Sequence, residues 1–514
     1  GFVHMTDGDR VPNNSVGAFW NSSMRTNCAQ RVIRRVIRRT RVLRGAAMLL
    51  SFAMVLPDAI VHAQQRAALA DAVKQFVTVD DRIVALTHVR VIDGTGNPAK
   101  DDQTVVLIDG KITAVGAASS AVVPASARVL DLHGQTVVPG FVGMHEHTYF
   151  YAGTQVTQMS LSAPRLYLAN GVTTIRTTGS YFPYVELNMK HAIANGSIAG
   201  PRMHITGPYL NGGVAPSRSY ERFVNTEEET RRVVAYWAAE GATWFKFLGN
   251  VSRHMLEVAI DEAHKHGAKV TAHLCSVTFR EAAALGIDNV EHGFITDSDF
   301  VPDKQPDICP ADNMKAQKDV DVNSTAVRAS IAELVKRGVA VTSTLSVYEL
   351  FVQSRARLDP RALEALSPET RRVVEQSHAD ANEFPVSAEL FAKMMQYDRA
   401  FVRAGGLLVS GVDPWGNGSV PGYGNLRNYE LFIEEGFTAE ESIRIMSANG
   451  AKLLGELAER GTIEVGKIAD LAIINGNPVL KPADIYNVSL VFRDGIGYDS
   501  AKLIASVKGQ IGIR

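Results

Sequence analysis

Residues 226–274 read TEEETRRVVAYWAAEGATWFKFLGNVSRHMLEVAIDEAHKHGAKVTAHL. Thr226 with Glu229 has the form of a capping box that opens a helix, and Gly241 closes it. The apolar run WFKFL follows as a strand. Ser252 caps a second helix, whose Met255, Leu256, Ala259, Ile260 and Ala263 recur at helical spacing and share one face. Gly267 stops that helix, and KVTAHL follows as the next strand. Helix alternating with apolar strand predicts a parallel sheet. Downstream, EAAALGIDNVEHGF, IAELVKRGVAVTSTL and FVRAGGLLVSGVD repeat the unit. About eight such units over roughly 300 residues predict an α/β fold, a (β/α)8 TIM barrel, over 140–445.

The spacing agrees. Lys246 and His273 are 27 residues apart, one strand-helix unit, and His145 to Lys246 leaves room for three. His292 to Asp413 exceeds two plain units. The excess lies in 297–325 and 352–390, long insertions of the kind that wall substrate pockets. Outside the barrel the texture changes. Residues 81–139 read as short strands with an Asp109-Gly110 hairpin turn, and 456–514 carry Asn475-Gly476 and Asp494-Gly495. These flanks predict a small β-sandwich built from both N- and C-terminal segments.

Composition bounds the function. The 514 residues carry a net charge of −1, with no basic footprint for nucleic acid. Cys28, Cys275 and Cys309 give no disulfide framework, and the last two read as apolar filler. Residues 31–44, RVIRRVIRRTRVLR, are arginine-rich and hold no acid. An apolar run from Gly45 to Leu56 follows, then small residues at Val61 and Ala63. This is the pattern of an export signal over 1–63, placing the mature protein in the periplasm or outside the cell. The run is too short for an anchor, and no later stretch is long enough to cross a bilayer.

The chemistry lies at the strand ends. His145-Glu146-His147 closes one apolar run, and an H-x-H spacing puts both imidazoles on one side of a strand. Both can then ligate one ion. Alone the motif is weak, but it has company. Lys246 sits between Trp244, Phe245 and Phe247, where burial lowers an amine's pKa. It reads as a lysine reaching the barrel rim or pairing with a carboxylate, or as a neutral amine that takes up CO₂ to form a carbamate between two cations. The histidines favour the carbamate. His273 and His292 end two further strands and are suited to a second ion. Asp413 ends the last strand and can ligate metal and accept a proton. His133, His191, His204, His264, His266 and His378 read as exposed polar histidines. Tyr209, Arg218, Tyr220, Arg253, His254 and Tyr348 are candidates for substrate contact.

On these residues the chain resembles the metal-dependent amidohydrolase superfamily. The likeness rests on VVPGFVGMHEH (137–147), the strand-four lysine, two strand-end histidines and the strand-eight aspartate. GVTTIRTTG (171–179), SANGAKLLG (447–455) and GTIEVGKIADLAII (461–474) add to it. The branch it resembles is the imidazolonepropionase-like and Xaa-Pro-dipeptidase-like one. HLCSVTFREAAALGIDNVEHGF and FVPDKQPDICP are similar to bacterial amidases that open ochratoxin A. The resemblance implies two Zn²⁺ ions, one on His145 and His147, the other on His273 and His292, bridged by carboxylated Lys246. It implies a hydroxide between them that attacks the carbonyl, with Asp413 shuttling the proton. The expected substrate is a small-molecule amide, an N-acyl amino acid or dipeptide. Cyclic amides, lactones or esters, and deamination at one metal, are the alternatives. Further copies of the chain are the expected protein partners. One departure stands out: the usual aspartate two places before the first histidine is Gly143, and Glu146 takes the middle position.

Overall fold

A computed structural model describes residues 68–152, 155–213, 220–311, 313–355, 358–379 and 386–512. The expected export signal over 1–63, with Cys28, and Arg218 lie outside the described residues. Eight parallel strands form the centre: β1 (Phe141–Glu146), β2 (Val172–Thr177), β3 (Arg202–His204), β4 (Trp244–Phe247), β5 (Lys269–Ala272), β6 (Asn289–Glu291), β7 (Ala340–Ser343) and β8 (Leu408–Ser410). They pair in two runs, β1-β2-β3 and β4 through β8. Short strands Tyr209–Asn211 and Arg222–Phe223 extend the second run beyond β4. Backbone bonds span both gaps. The Thr243 amide donates to the Ile205 carbonyl at 2.9 Å, between β3 and β4, and the Asp413 amide donates to His145 at 2.8 Å, between β8 and β1.

Every residue of β1, β2, β4, β7 and β8 is buried. Parallel strands covered on both faces carry continuous apolar runs rather than an alternation, which is why WFKFL was legible as a strand. Between the strands, helices begin where the caps lie. The hydroxyls of Thr226 and Ser252 accept from the amides of Glu229 and Met255. Only half of the expected box forms at Thr226, because the Glu229 carboxylate reaches Arg222 at 3.2 Å instead. Complete boxes occur at Thr278 with Glu281 and Thr438 with Glu441.

The chain's two flanks meet in one nine-stranded mixed sheet, where the sequence predicted a sandwich. Ile83–Val91 is its pivot. It runs antiparallel to Lys100–Ile108, and its other edge is shared: residues 84–87 pair with Arg128–Asp131, residues 90–91 with Gln135–Pro139. Leu471–Asn475 then docks antiparallel on Gln135–Pro139, joining the C-terminal segment to the N-terminal one. Val84, Leu86, Leu107, Leu471, Ile473 and Phe492 form a core separate from that of the main body. Asp109 and Gly110 have φ of 52° and 80°, as a tight hairpin turn of right-handed strands needs. Asn475-Gly476 instead opens a longer connection, since the next strand starts at Val488.

One expectation fails outright. Cys275 and Cys309 are not separate fillers but a disulfide, with Cα atoms 4.8 Å apart. It fastens the 297–325 insertion to the segment just past β5. Among the described residues no helix is long and apolar enough to cross a membrane.

Candidate active site

The strand ends of the main body gather the six side chains singled out by sequence. His145 lies in β1 and His147 just past it, Lys246 in β4, His273 after β5, His292 after β6 and Asp413 after β8. His147 Nε2 stands 2.9 Å from Asp413 Oδ1, His145 Nε2 3.6 Å from the same oxygen, and His292 Nε2 3.9 Å from Oδ2. One ligand atom from each of His145, His147 and Asp413 falls within 4.8 Å of the others. The His273 and His145 rings each lie 4.7 Å from His292. His147 Nδ1 and Lys246 Nζ are buried with no hydrogen-bond partner.

The backbone contributes to this convergence. His292 and Asp413 have φ of 68° and 54°, in the left-handed region that few non-glycine residues occupy. Successive side chains of a strand normally point to opposite faces. The turn at His292 breaks that alternation, so Glu291 and His292 both face the site. Glu291 accepts from His145 at 2.8 Å, from Arg176 at 2.5 Å and from the Thr271 hydroxyl. Arg176 in turn donates to the Met144 carbonyl and lies over the Trp244 ring at 4.5 Å. Beneath the histidines there is thus a wholly buried ion pair that fixes the His145 ring, leaving its Nε2 towards Asp413.

Electrostatics follow burial. Burial lowers the pKa of His145 to about 4 and, with Lys246, that of His273 to about 3. Burial also brings Lys246 down to about 8. Burial alone would raise Asp413, but the surrounding imidazoles hold it well below the ordinary carboxylate range. Neutral imidazoles, a readily neutralised amine and an ionised carboxylate are the protonation states in which these groups bind cations.

The departure at Gly143 has a steric cause. A Cβ there would stand 2.3 Å from Glu146 Oε1. The β1–β2 register slips between Gly143 and Glu146, which folds the glutamate back over the glycine. Asn425 holds it with a 2.7 Å bond, and burial raises its pKa to about 8. Glu146 therefore fills the space an aspartate at 143 would need.

An arc of aromatic rings encloses one side. It runs from His147 to Tyr149 (4.6 Å), Tyr151 (5.8 Å), Trp415 (5.8 Å), Phe351 (6.2 Å), Tyr348 (6.4 Å) and back to His292 (5.5 Å). Tyr209 bonds the Tyr149 hydroxyl and sits 3.4 Å from His147 Nε2. Of the suggested substrate contacts, Tyr209 and Tyr348 thus line the site, and Tyr220 reaches the arc's edge through Tyr181. Arg253 does not: it is paired with Asp307 and Glu281. His254 is exposed near Glu227 and Glu257. His204, expected to be exposed, is half-buried in β3 and bonds Glu456. Sequence reasoning missed Arg176, Glu291 and the tyrosines at 149, 151 and 181. Arg176 and Glu291 carried the same signal as Lys246, a charge inside an otherwise uncharged strand.

The amidohydrolase family model matches residues 136–497. The enamidase of Eubacterium barkeri is 26% identical over 208 residues, 38% of this chain and 50% of that protein. The match thus spans half the length of that curated relative. Two solved structures share the fold. A Xaa-Pro dipeptidase with bound methionine in the active site matches with a TM-score of 0.61 and 18% identity, over 81% of this chain and 100% of that one. A. niger ochratoxinase matches with a TM-score of 0.58 and 17% identity, over 80% and 95%.

Proposed function

The chain belongs to the amidohydrolase family, and on that premise we propose that it is a binuclear metal-dependent hydrolase of N-acyl amino acids or dipeptides. The observation that carries this reading is the gathering of four imidazoles, one amine and one carboxylate, with His147 Nδ1 and Lys246 Nζ left buried and unpartnered. Buried polar atoms without partners are costly, and a cation site accounts for them. The donor set, imidazole with carboxylate, fits zinc. His145 and His147 would hold one ion, and His273 and His292 the other. The Lys246 amine, adding to CO₂ and losing a proton, would become a carbamate able to bridge them. The two runs of parallel strands act in this reading as one closed (β/α)8 barrel, supported by the backbone bonds across both gaps.

Two bound divalent ions would acidify a water and polarise the scissile carbonyl. The chain's own groups do the rest. Asp413, held ionised, accepts the proton of the attacking water and delivers it to the leaving nitrogen. Glu291 keeps the His145 ring in place. The aromatic arc offers flat apolar walls to the acyl group, which supports aromatic or bulky acyl substrates. The Cys275–Cys309 bridge supports export, since disulfides persist in oxidising compartments.

The test is amine release from a panel of N-acyl amino acids, dipeptides and ochratoxin A, by protein stripped with chelator and by protein reloaded with zinc. Turnover only after reloading is expected. Absence of turnover of every amide by the reloaded protein overturns the reading. Lys246→Ala should lower the bound zinc from two ions per chain to one or none; a variant with full zinc and full rate removes the bridging role.

A further inference from the structure

A hydrolase that releases a free amino acid must contend with a negative charge on its substrate. Asp413 already places one negative charge at the centre of the site. Among the described residues near the site, most cations are engaged. Arg253 is tied to Asp307 and Glu281, Arg222 to Glu229, and Lys304 donates to the Ser276 carbonyl at 2.6 Å. Arg176 is paired with Glu291 beneath the histidines.

Lys315 is different. It lies on the short helix Asn313–Gln317 within the 297–325 insertion, and its side chain is exposed. With His273, Asn250, Thr296, Asn313 and Tyr348 it lines a cavity of about 450 Å³. Among the described residues, no carboxylate lines that cavity. Tyr348, which packs against His292, and His273 both line it, so the cavity adjoins the histidine cluster. Two fastenings hold the helix in place. The disulfide ties Cys309 to Cys275, two residues past His273, and buried Gln317 donates to the Asp297 carbonyl at 2.6 Å. A surface lysine on a free loop would select nothing; one anchored from both sides beside a proposed ligand can.

We propose that Lys315 receives the carboxylate of the amino acid released from the substrate, and so selects amides bearing a C-terminal acid over their neutral counterparts. The inference rests on the hydrolase reading of the same site and names the group that reads the leaving half. Ammonium against carboxylate is a charge-assisted contact, made on binding and kept through the reaction, so its loss raises KM and leaves kcat nearly unchanged.

The matched probes are N-benzoyl-phenylalanine and its C-terminal amide, with the zinc-loaded full chain. Lys315→Ala should raise KM for the acid roughly tenfold and leave the amide's KM unchanged, and Lys315→Arg should restore the acid. Equal effects on acid and amide, or none, overturn the proposal while the hydrolase reading stands. Calorimetric titration of both compounds into chelator-treated protein reads the contact without turnover. If neither compound is hydrolysed, the hydrolase reading is at risk. The Lys315 assignment is then supported by acid binding that weakens in Lys315→Ala, and is overturned by acid binding that is absent or unchanged.

Discussion

At the scale of single residues, this site depends on charges that have been placed where water cannot reach them. Arg176 and Glu291 are both fully buried and paired, and removing one partner of such a pair costs far more than the pair contributes. Their role here is positional, since Glu291 also orients the His145 ring. Gly143 and Glu146 form a second coupled set. Gly143→Asp should collide with the Glu146 carboxylate and destabilise the protein by about 3 kcal/mol, the upper range for overpacking a filled core. Adding Glu146→Ala should recover most of the loss, as read by denaturant midpoints. A single variant as stable as the parent contradicts the steric account. The six proposed site groups were legible because each is a histidine or charged residue in or beside an apolar run. Glu291 carried that same signal, but simple alternation assigns it to the face opposite His292, and only the left-handed φ at His292 brings both inward.

At the scale of elements, the insertion over 297–325 behaves as a wall rather than a loose loop. The Cys275–Cys309 bridge sets where it lies against the end of β5. Reduction with a dithiol, followed by alkylation of both thiols, should free that wall. KM should rise severalfold, with kcat changed by no more than about twofold, since the strands that carry the six proposed site groups are untouched. Kinetics identical before and after reduction show that the wall is held by packing alone. Helix starts and strand runs were readable in the sequence because their causes are local: a capping hydroxyl, a closing glycine, an uninterrupted apolar run. The disulfide was not, because 34 residues of intervening chain say nothing about where their ends meet.

For the molecule as a whole, stability and the proposed metal binding should share one pH window. His145 and His273 have folded pKa values of about 4 and about 3, against 6.5 when unfolded. Below pH 6.5 the unfolded chain takes up protons that the folded chain refuses. Their contribution is therefore complete above 6.5 and is lost as the pH falls towards about 4 for His145 and about 3 for His273. Chelator-treated protein should show a Tm that falls more steeply over that window than the Tm of His273→Asn. Equal slopes dismiss His273 as a titrating group in folding. Zinc release should follow the same acid limb, because protons and metal compete for the same nitrogens.

The sequence by itself determined the repeating strand-helix unit, the strand-end histidines with Lys246 and Asp413, and the joint origin of the terminal sheet. These depend on near neighbours, on apolar periodicity and on the cost of charge in apolar surroundings. Tertiary structure alone decided that the two flanks form a single mixed sheet in place of a sandwich, and that Glu146 replaces an absent aspartate. It also decided that a buried ion pair steadies His145, and that a disulfide carries Lys315 to the cavity. Each of those depends on which distant segments share a volume, and volume is settled only when the whole chain packs.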